Sequence, residues 1–272
     1  VDFTLKTYRR LLDALIAQDY TFQTFAEFLE NPANRTIILR HDVDARPANS
    51  LLFAQIQHEL GVSGSYYFRM SPQSYNEDII KQIAELGHEI GYHYETLDTC
   101  NGDVEKAHDE FRGNLEKFRT LVPVRTICMH GSPLSRYDNK DLWNEFNYKH
   151  LGIIGEPYFD LDFKKVLYLT DTGRRWDGEA VSVRDKTLGS QFAVRSSKLT
   201  NGTGNRERGM GKQKLRYTRD IISSANVGLL PDQIMMTFHP QRWSDSFGPW
   251  LKELVMQNAK NVVKRWIVQQ RA

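Results

Sequence analysis

The chain of 272 residues is 40% hydrophobic and 11% aromatic, enough for a substantial core and too apolar for a disordered polypeptide. Its 36 Lys and Arg nearly balance 34 Asp and Glu, for a net charge of +2, so neither nucleic acid nor an anionic membrane is expected as the main partner. Two cysteines, Cys100 and Cys128, form no disulfide framework and no metal-ligand pair, and no apolar run approaches the roughly 20 residues that span a bilayer. With no basic or apolar leader pattern at its start, the chain is expected to be soluble and cytoplasmic.

Residues Thr4 to Gln18 place Tyr8, Leu11, Leu12, Leu15 and Ile16 at steps of three and four, which predicts an amphipathic helix. A shorter helix is expected over Phe22 to Leu29. Together they make a helical lead-in over 1–35. An apolar run, Ile37-Ile38-Leu39, then discharges into Arg40-His41-Asp42-Val43-Asp44, the pattern of a buried strand that ends in polar cargo. After Ala45-Arg46-Pro47 a helix is expected over Ala48 to Leu60, with Leu51, Leu52, Ile56 and Leu60 inward and Gly61 as its C-cap. Ser63 to Arg69 reads as a strand, Glu77 to Leu86 as a helix ended by Gly87, and His88 to His93 as a strand. Asp103 to Leu121 is the clearest helix, with Val104, Ala107, Phe111, Leu115 and Phe118 on one face. Val124 to Met129 is a strand running into His130-Gly131-Ser132-Pro133.

Further strands are predicted over Ile153 to Phe159, Val166 to Thr170 and Ile234 to Phe238, and helices over Tyr217 to Val227 and Pro249 to Gln269. Thr170 to Gly178 reads as a polar loop and Lys198 to Lys214 as a mobile surface loop. The Gly-Thr-Gly within the latter lacks the leading strand and the Gly-Lys-Ser/Thr of a phosphate loop. Strand and helix alternate, which favours a parallel sheet, open or closed into a barrel. Without repeats, low-complexity linkers or a second composition regime, one domain over 1–272 is the economical expectation.

Several strand ends carry the same kind of cargo: His41, Asp42 and Asp44, then His93, His130 and His239. A parallel α/β sheet brings its strand C-termini to one edge, so these residues are expected to meet. Imidazole and carboxylate are the donors a Zn²⁺ or similar divalent ion takes, with about three protein ligands and an open water position in a catalytic site. Such an ion lowers the pKa of its water to roughly 7, a carboxylate can act as base, and a second imidazole can protonate a leaving amine. Each residue also has a plainer reading. Asp42 and Asp44 suit turns and caps, and His-Gly-Ser-Pro makes a good turn. His58, His108 and His150 read as surface residues, His88 as packing, and Tyr66-Tyr67-Phe68 as core.

Arg-His-Asp-Val-Asp-Ala at a strand end, Gly87-His88-Glu89-Ile90-Gly91-Tyr92-His93 about fifty residues on, and Thr237-Phe238-His239-Pro240 near the end resemble the polysaccharide deacetylase (NodB-homology, carbohydrate esterase) superfamily. The resemblance covers Thr36 to Pro240, and the Gly-His-Glu-Ile-Gly-x-His piece is its most specific part. It implies a distorted (β/α) barrel of about seven strands, preceded here by extra N-terminal helices. The implied activity is metal-dependent removal of an acetyl group from an acetylated sugar or glycan, with zinc as the expected ion. Carried over residue by residue, it implies Asp42 as general base, Asp44 and His93 as ligands and His239 as general acid. Met129 to Pro133 stands where the family has an Arg-containing motif that helps hold the base. Trp176 matches a substrate-wall tryptophan, Arg174 and Arg175 beside it are candidates for contact with an acidic sugar, and His41 is a further candidate for substrate binding.

One departure stands out. The family has a second histidine four residues after the first, and Leu97 occupies that position here. His130 is the expected replacement ligand, with Glu95, Asp98 and His41 as alternatives. Two other functions remain open on the same scaffold: an amidase acting on small C–N substrates, and a catalytically silent carbohydrate-binding protein.

Overall fold

The computed structural model describes residues 1–132, 135–177, 193–195, 210–212 and 215–270. The elements run in the order α1 (Leu5–Ile16), β1 (Thr21–Gln23), α2 (Phe25–Glu30), β2 (Thr36–Val43), α3 (Pro47–Glu59), β3 (Ser65–Phe68), α4 (Glu77–Glu85), β4 (Glu89–Tyr94) and α5 (Thr96–Thr99). They continue with α6 (Val104–Arg119), β5 (Ile127–Met129), α7 (Pro157–Asp160), β6 (Leu167–Thr170), β7 (Ala193–Arg195), β8 (Met210–Lys212), α8 (Thr218–Asn226), β9 (Gln233–Phe238) and α9 (Phe247–Gln270).

Seven strands form one parallel sheet in the order β5-β4-β3-β2-β9-β6, with β1 also paired to β2. This is the α/β architecture expected from the alternation. The sheet curls into a half barrel, and among the described residues no ladder joins β6 to β5. Strand β2 is central, and all eight of its residues are buried.

Alternation along the strands sorts side chains between two cores. Ile37, Leu39 and Val43 of β2, Tyr66 and Phe68 of β3, Ile90, Tyr92 and Tyr94 of β4, and Ile234, Met236 and Phe238 of β9 join the larger cluster under the helices. Ile38, Tyr67, Cys128, Tyr168 and Met235 fill the concave side, closed below by Phe25 and Phe28 of α2. On β4 the concave-side position between Glu89 and His93 is Gly91, where a Cβ would lie 2.3 Å from the Tyr67 ring. That close approach is the local reason for glycine in Gly-His-Glu-Ile-Gly-Tyr-His.

Several boundaries differ from the sequence reading. Ile153 to Phe159 is not a strand. Only a single bridge, Thr126 to Gly155, forms there, and Pro157 then starts α7, where its fixed φ suits a first helical turn. Helix α3 buries Ser50, Phe53, Ala54 and Gln57, the expected Leu51, Ile56 and Leu60 pack partly buried against the core, and Leu52 is 44% exposed. Gln57 is drawn inward because it hydrogen-bonds Tyr8 and Tyr66, so a polar residue holds a core position. Strand β1 and helix α5 were not anticipated. Of the surface loop expected over Lys198 to Lys214, only 210–212 are described, as β8 paired antiparallel with β7, and the Gly-Thr-Gly lies outside the described residues.

Candidate functional site

The same alternation that builds the concave core places the site. Asp42 sits two residues beyond Arg40 on the inner face of β2, and Asp44 follows just past the strand end. His93 is on the inner parity of β4, His130 and His239 directly follow β5 and β9, and these strands all run the same way. Parallel direction and shared parity therefore bring four segments of sequence to one edge.

Their donors converge. Asp44 Oδ1 lies 3.6 Å from Nε2 of both His93 and His130, and the three donor atoms all lie within 4.8 Å of one another. Four-coordinate zinc, with bonds of about 2.0–2.2 Å, sets its donors roughly 3.3–3.6 Å apart. Each imidazole has its other nitrogen close to an oxygen. His93 Nδ1–H donates to the Cys128 carbonyl at 2.9 Å, and His130 Nδ1 lies 2.8 Å from Glu95 Oε2. Both Nε2 atoms thereby face Asp44 Oδ1, which is buried and accepts no hydrogen bond. Lone pairs pointed at one another are repulsive unless a cation or proton stands between them, so this donor set fits a divalent metal. Asp42, His93 and Cys128 also offer donors within 4.8 Å, but both Asp42 oxygens are taken by Arg40.

The electrostatics agree with a site built to receive positive charge. Burial alone would push Asp44 up, but His93, His130 and His239 outweigh it and hold the carboxyl well below the usual carboxylate range. Burial would likewise push His130 down, yet Glu95 and Asp44 hold it above the ordinary imidazole value. Glu95 itself is pulled down to about 2, because His130 and Arg69 overcome its partial burial.

Two supported groups flank the trio. Asp42 is 4% exposed and gripped by Arg40, which keeps it below the ordinary carboxylate value against the opposing effect of burial. His239 Nδ1–H donates to Asp171 Oδ1 at 2.6 Å, leaving Nε2 facing Asp44 Oδ2 at 4.0 Å. Asp171, fully buried after β6, also accepts from the His239 backbone N–H (3.0 Å), Arg242 (3.0 Å) and Trp243 Nε1 (2.7 Å). Gln241 Nε2 donates to Asp44 Oδ2 at 3.0 Å.

Asp42, Asp44, His93, His130 and His239 are thus brought together, while three expected substrate contacts are not. His41 is on the opposite face of β2 from Asp42, by the period of two. It is fully buried and stacked at 4.1 Å on Tyr66. Its Nδ1–H donates to the Ser65 carbonyl, and Nε2 accepts from Gln57 at 2.9 Å. Burial pushes it down to about 3, so it is a neutral core imidazole. Trp176 is 2% exposed, packed on Phe238, with its indole N–H donating to Thr218. Arg175 is engaged by both oxygens of Asp177, and Arg174 lies over Phe3 and Trp250. Among the alternative ligands, Glu95 stands behind His130, and Asp98 bonds Ser135 and Asn139. Leu97 is 4% exposed in the outer core.

Sequence reasoning missed Arg40 as the clamp, Asp171 as the partner of His239, and Arg69 with Glu95 behind His130. Arg40 was visible as a charge two residues before Asp42 in a strand, a spacing that puts both on one face. Asp171 was visible as an acid at a strand end. Nothing in the sequence pairs Arg69 with Glu95.

No family model matches the chain, and no match was found among curated proteins. Among solved structures, it is similar to the Xyl-CE4 domain of a multidomain xylanase from the hindgut metagenome of Trinervitermes trinervoides. That match has 12% identity over 85% of this chain and 82% of that one, with a TM-score of 0.37. It is also similar to Bacillus subtilis PdaA, a family 4 carbohydrate esterase, at 13% identity over 92% of this chain and 83% of that one, with a TM-score of 0.37.

Proposed function

We propose that the chain is a divalent-metal-dependent hydrolase, with zinc the best-fitting ion, that removes an acetyl group from an acetylated amino sugar. The observation that carries the reading is the meeting of the Asp44, His93 and His130 donors between a clamped carboxylate, Asp42, and a carboxylate-supported imidazole, His239. The acetylated sugar as substrate comes from the resemblance of the Arg40–Asp44, Gly87–His93 and Thr237–Pro240 motifs.

Asp44, His93 and His130 would hold the ion, which when bound would supply Lewis acidity toward a water and the acyl carbonyl. Asp42, held below the ordinary carboxylate value, takes the proton of the attacking water. Arg40 fixes the orientation of the carboxylate and stays paired with it, so the base does not swing away. His239, on the other side of Asp44, delivers a proton from Nε2 to the departing amine when its ring is protonated on both nitrogens, and Asp171, which accepts from Nδ1–H, orients that ring and balances its charge. His130 supplies the third donor, so Leu97 by itself is no argument for a silent scaffold.

The test is acetate release by zinc-loaded protein from N-acetylhexosamine oligomers, acetylated xylan and small N-acetyl amides. Release from the amino-sugar oligomers is expected to exceed the others. Release from the small amides alone would point to an amidase, and release from none would sink the hydrolase reading.

A further inference from the structure

The third donor of the trio does not come from β4 and the turn after it, where a second imidazole at position 97 would stand, but from the end of β5. Around it the two neighbouring strands exchange support. The β5 backbone, through the Cys128 carbonyl, orients His93 of β4. Glu95, one residue past β4, meets His130, one residue past β5. Each strand thus supplies one donor and the group that orients the other strand's donor.

The His130 backbone is fixed independently of its ring. Its N–H donates to the Tyr94 carbonyl at 2.7 Å and its carbonyl accepts from the buried Asn139 side chain at 2.9 Å. What remains free is rotation of the imidazole, and the contact that sets it is the 2.8 Å approach of Nδ1 to Glu95 Oε2. Glu95 is itself held by Arg69, which donates from Nε at 2.9 Å and from Nη2 to both carboxylate oxygens at 2.7 Å. Arg69 also reaches the Asp44 backbone carbonyl, at 3.4 Å. The plainer role for Glu95, as N-cap of α5, is not what its carboxylate does, because it makes no capping hydrogen bond. Nor is the Arg69–Glu95 pair an exposed surface bridge, with side chains 21% and 16% accessible.

We infer that Glu95, locked by Arg69, is the positioning residue that makes His130 a metal ligand in this chain, in place of an imidazole at position 97. The inference rests on the metal-centre reading proposed above. Geometry carries it: the 2.8 Å approach of Nδ1 to the Arg69-held Glu95 carboxylate turns Nε2 toward Asp44 Oδ1, 3.6 Å away. Without Glu95 the ring can turn, which removes the donor.

The experiment is zinc titration of metal-free protein against a chromogenic chelator. The set is the native chain, His130→Ala, Glu95→Ala, Glu95→Gln and the Glu95→Gln/His130→Ala double variant, with thermal melting of each metal-free form. The native chain is expected to take up one zinc. Glu95→Ala should bind it about 10- to 100-fold more weakly, as loss of the partner behind a ligand does. Glu95→Gln, which keeps an oxygen but not the charge, should lose less, about 5-fold. In the His130→Ala background, Glu95→Gln should have no further effect, a result that holds even if Glu95→Ala does not fold. Native zinc affinity in Glu95→Ala, or the same Glu95→Gln loss with and without His130, would overturn the inference while leaving the metal centre intact. A native chain that takes up no zinc would overturn the metal-centre reading itself, and the inference with it.

Discussion

Arg40 grips Asp42 through both carboxylate oxygens, Nε to Oδ1 at 2.8 Å and Nη2 to Oδ2 at 2.7 Å, from two residues earlier on the same strand. The fork is buried, with side chains 2% and 6% accessible. Lysine would keep the charge but not the two-pronged geometry. In Arg40→Lys the hold on Asp42 weakens, so its carboxyl rises toward, or above, the ordinary value. The acidic limb of the kcat/KM profile should therefore move to higher pH, with kcat reduced. Arg40→Met leaves a buried carboxylate without its partner and should cost about 3–5 kcal/mol of stability, read by denaturant unfolding.

His239 depends on Asp171 in a different way. Asp171 accepts the Nδ1 proton and is itself held by Arg242 and Trp243, so Asp171→Asn replaces an acceptor with an amide that can present N–H to the ring. The doubly protonated ring that donates from Nε2 then loses the carboxylate that stabilises it. A loss of about 10²- to 10⁴-fold in kcat is expected, with zinc affinity unchanged. A parallel loss of zinc would place Asp171 in the metal centre instead.

Much of this arrangement was legible beforehand because it depends on strand direction, which strand–helix alternation reveals. The ends of β2, β4, β5 and β9 were readable as carriers of Asp42 and Asp44, His93, His130 and His239 because apolar runs stopped there. What failed was the choice of face. His41 is adjacent to Asp42 in sequence but points to the opposite side of the sheet, where Tyr66 and Gln57 enclose it. Trp176 looked like a wall because it stood in a polar loop, and it is buried because Phe238 and Trp243 pack on it. The supports were hidden for another reason. Arg69 with Glu95 and Asp171 with His239 are 26 and 68 residues apart, and such pairs leave no periodic trace.

Glu156 makes stability depend on pH. Its buried side chain accepts from the backbone N–H groups of Met129 and Tyr158, and burial outweighs these and Arg40 to push it up to about 7. Between the unfolded carboxyl value and about 7 the folded chain binds the extra proton. Stability from this group is therefore full at low pH and falls by roughly 1.4 kcal/mol per unit as pH rises through that window. Glu156→Gln should be less stable at pH 5, having lost an acceptor, but should show a flatter slope from pH 5 to 7. Chemical denaturation across that range measures it, and an unchanged slope would assign the pH dependence elsewhere.

Position 97 should not accept its expected histidine. Leu97 packs in the outer core, so Leu97→His buries an imidazole there and should cost on the order of 1–3 kcal/mol. In a His130→Ala background it should not restore zinc binding. Recovery of native affinity in that double variant would mean the segment after β4 can re-form to deliver a ligand.

The most direct test of the proposed hydrolytic site is acetate release from an N-acetylhexosamine oligomer by zinc-loaded protein, native against Asp42→Asn, with bound zinc measured in both. The expected result is turnover by the native chain and a loss of about 10²- to 10⁴-fold in Asp42→Asn, with zinc retained at one per chain through Asp44, His93 and His130. Equal acetate release by the two proteins would contradict the account.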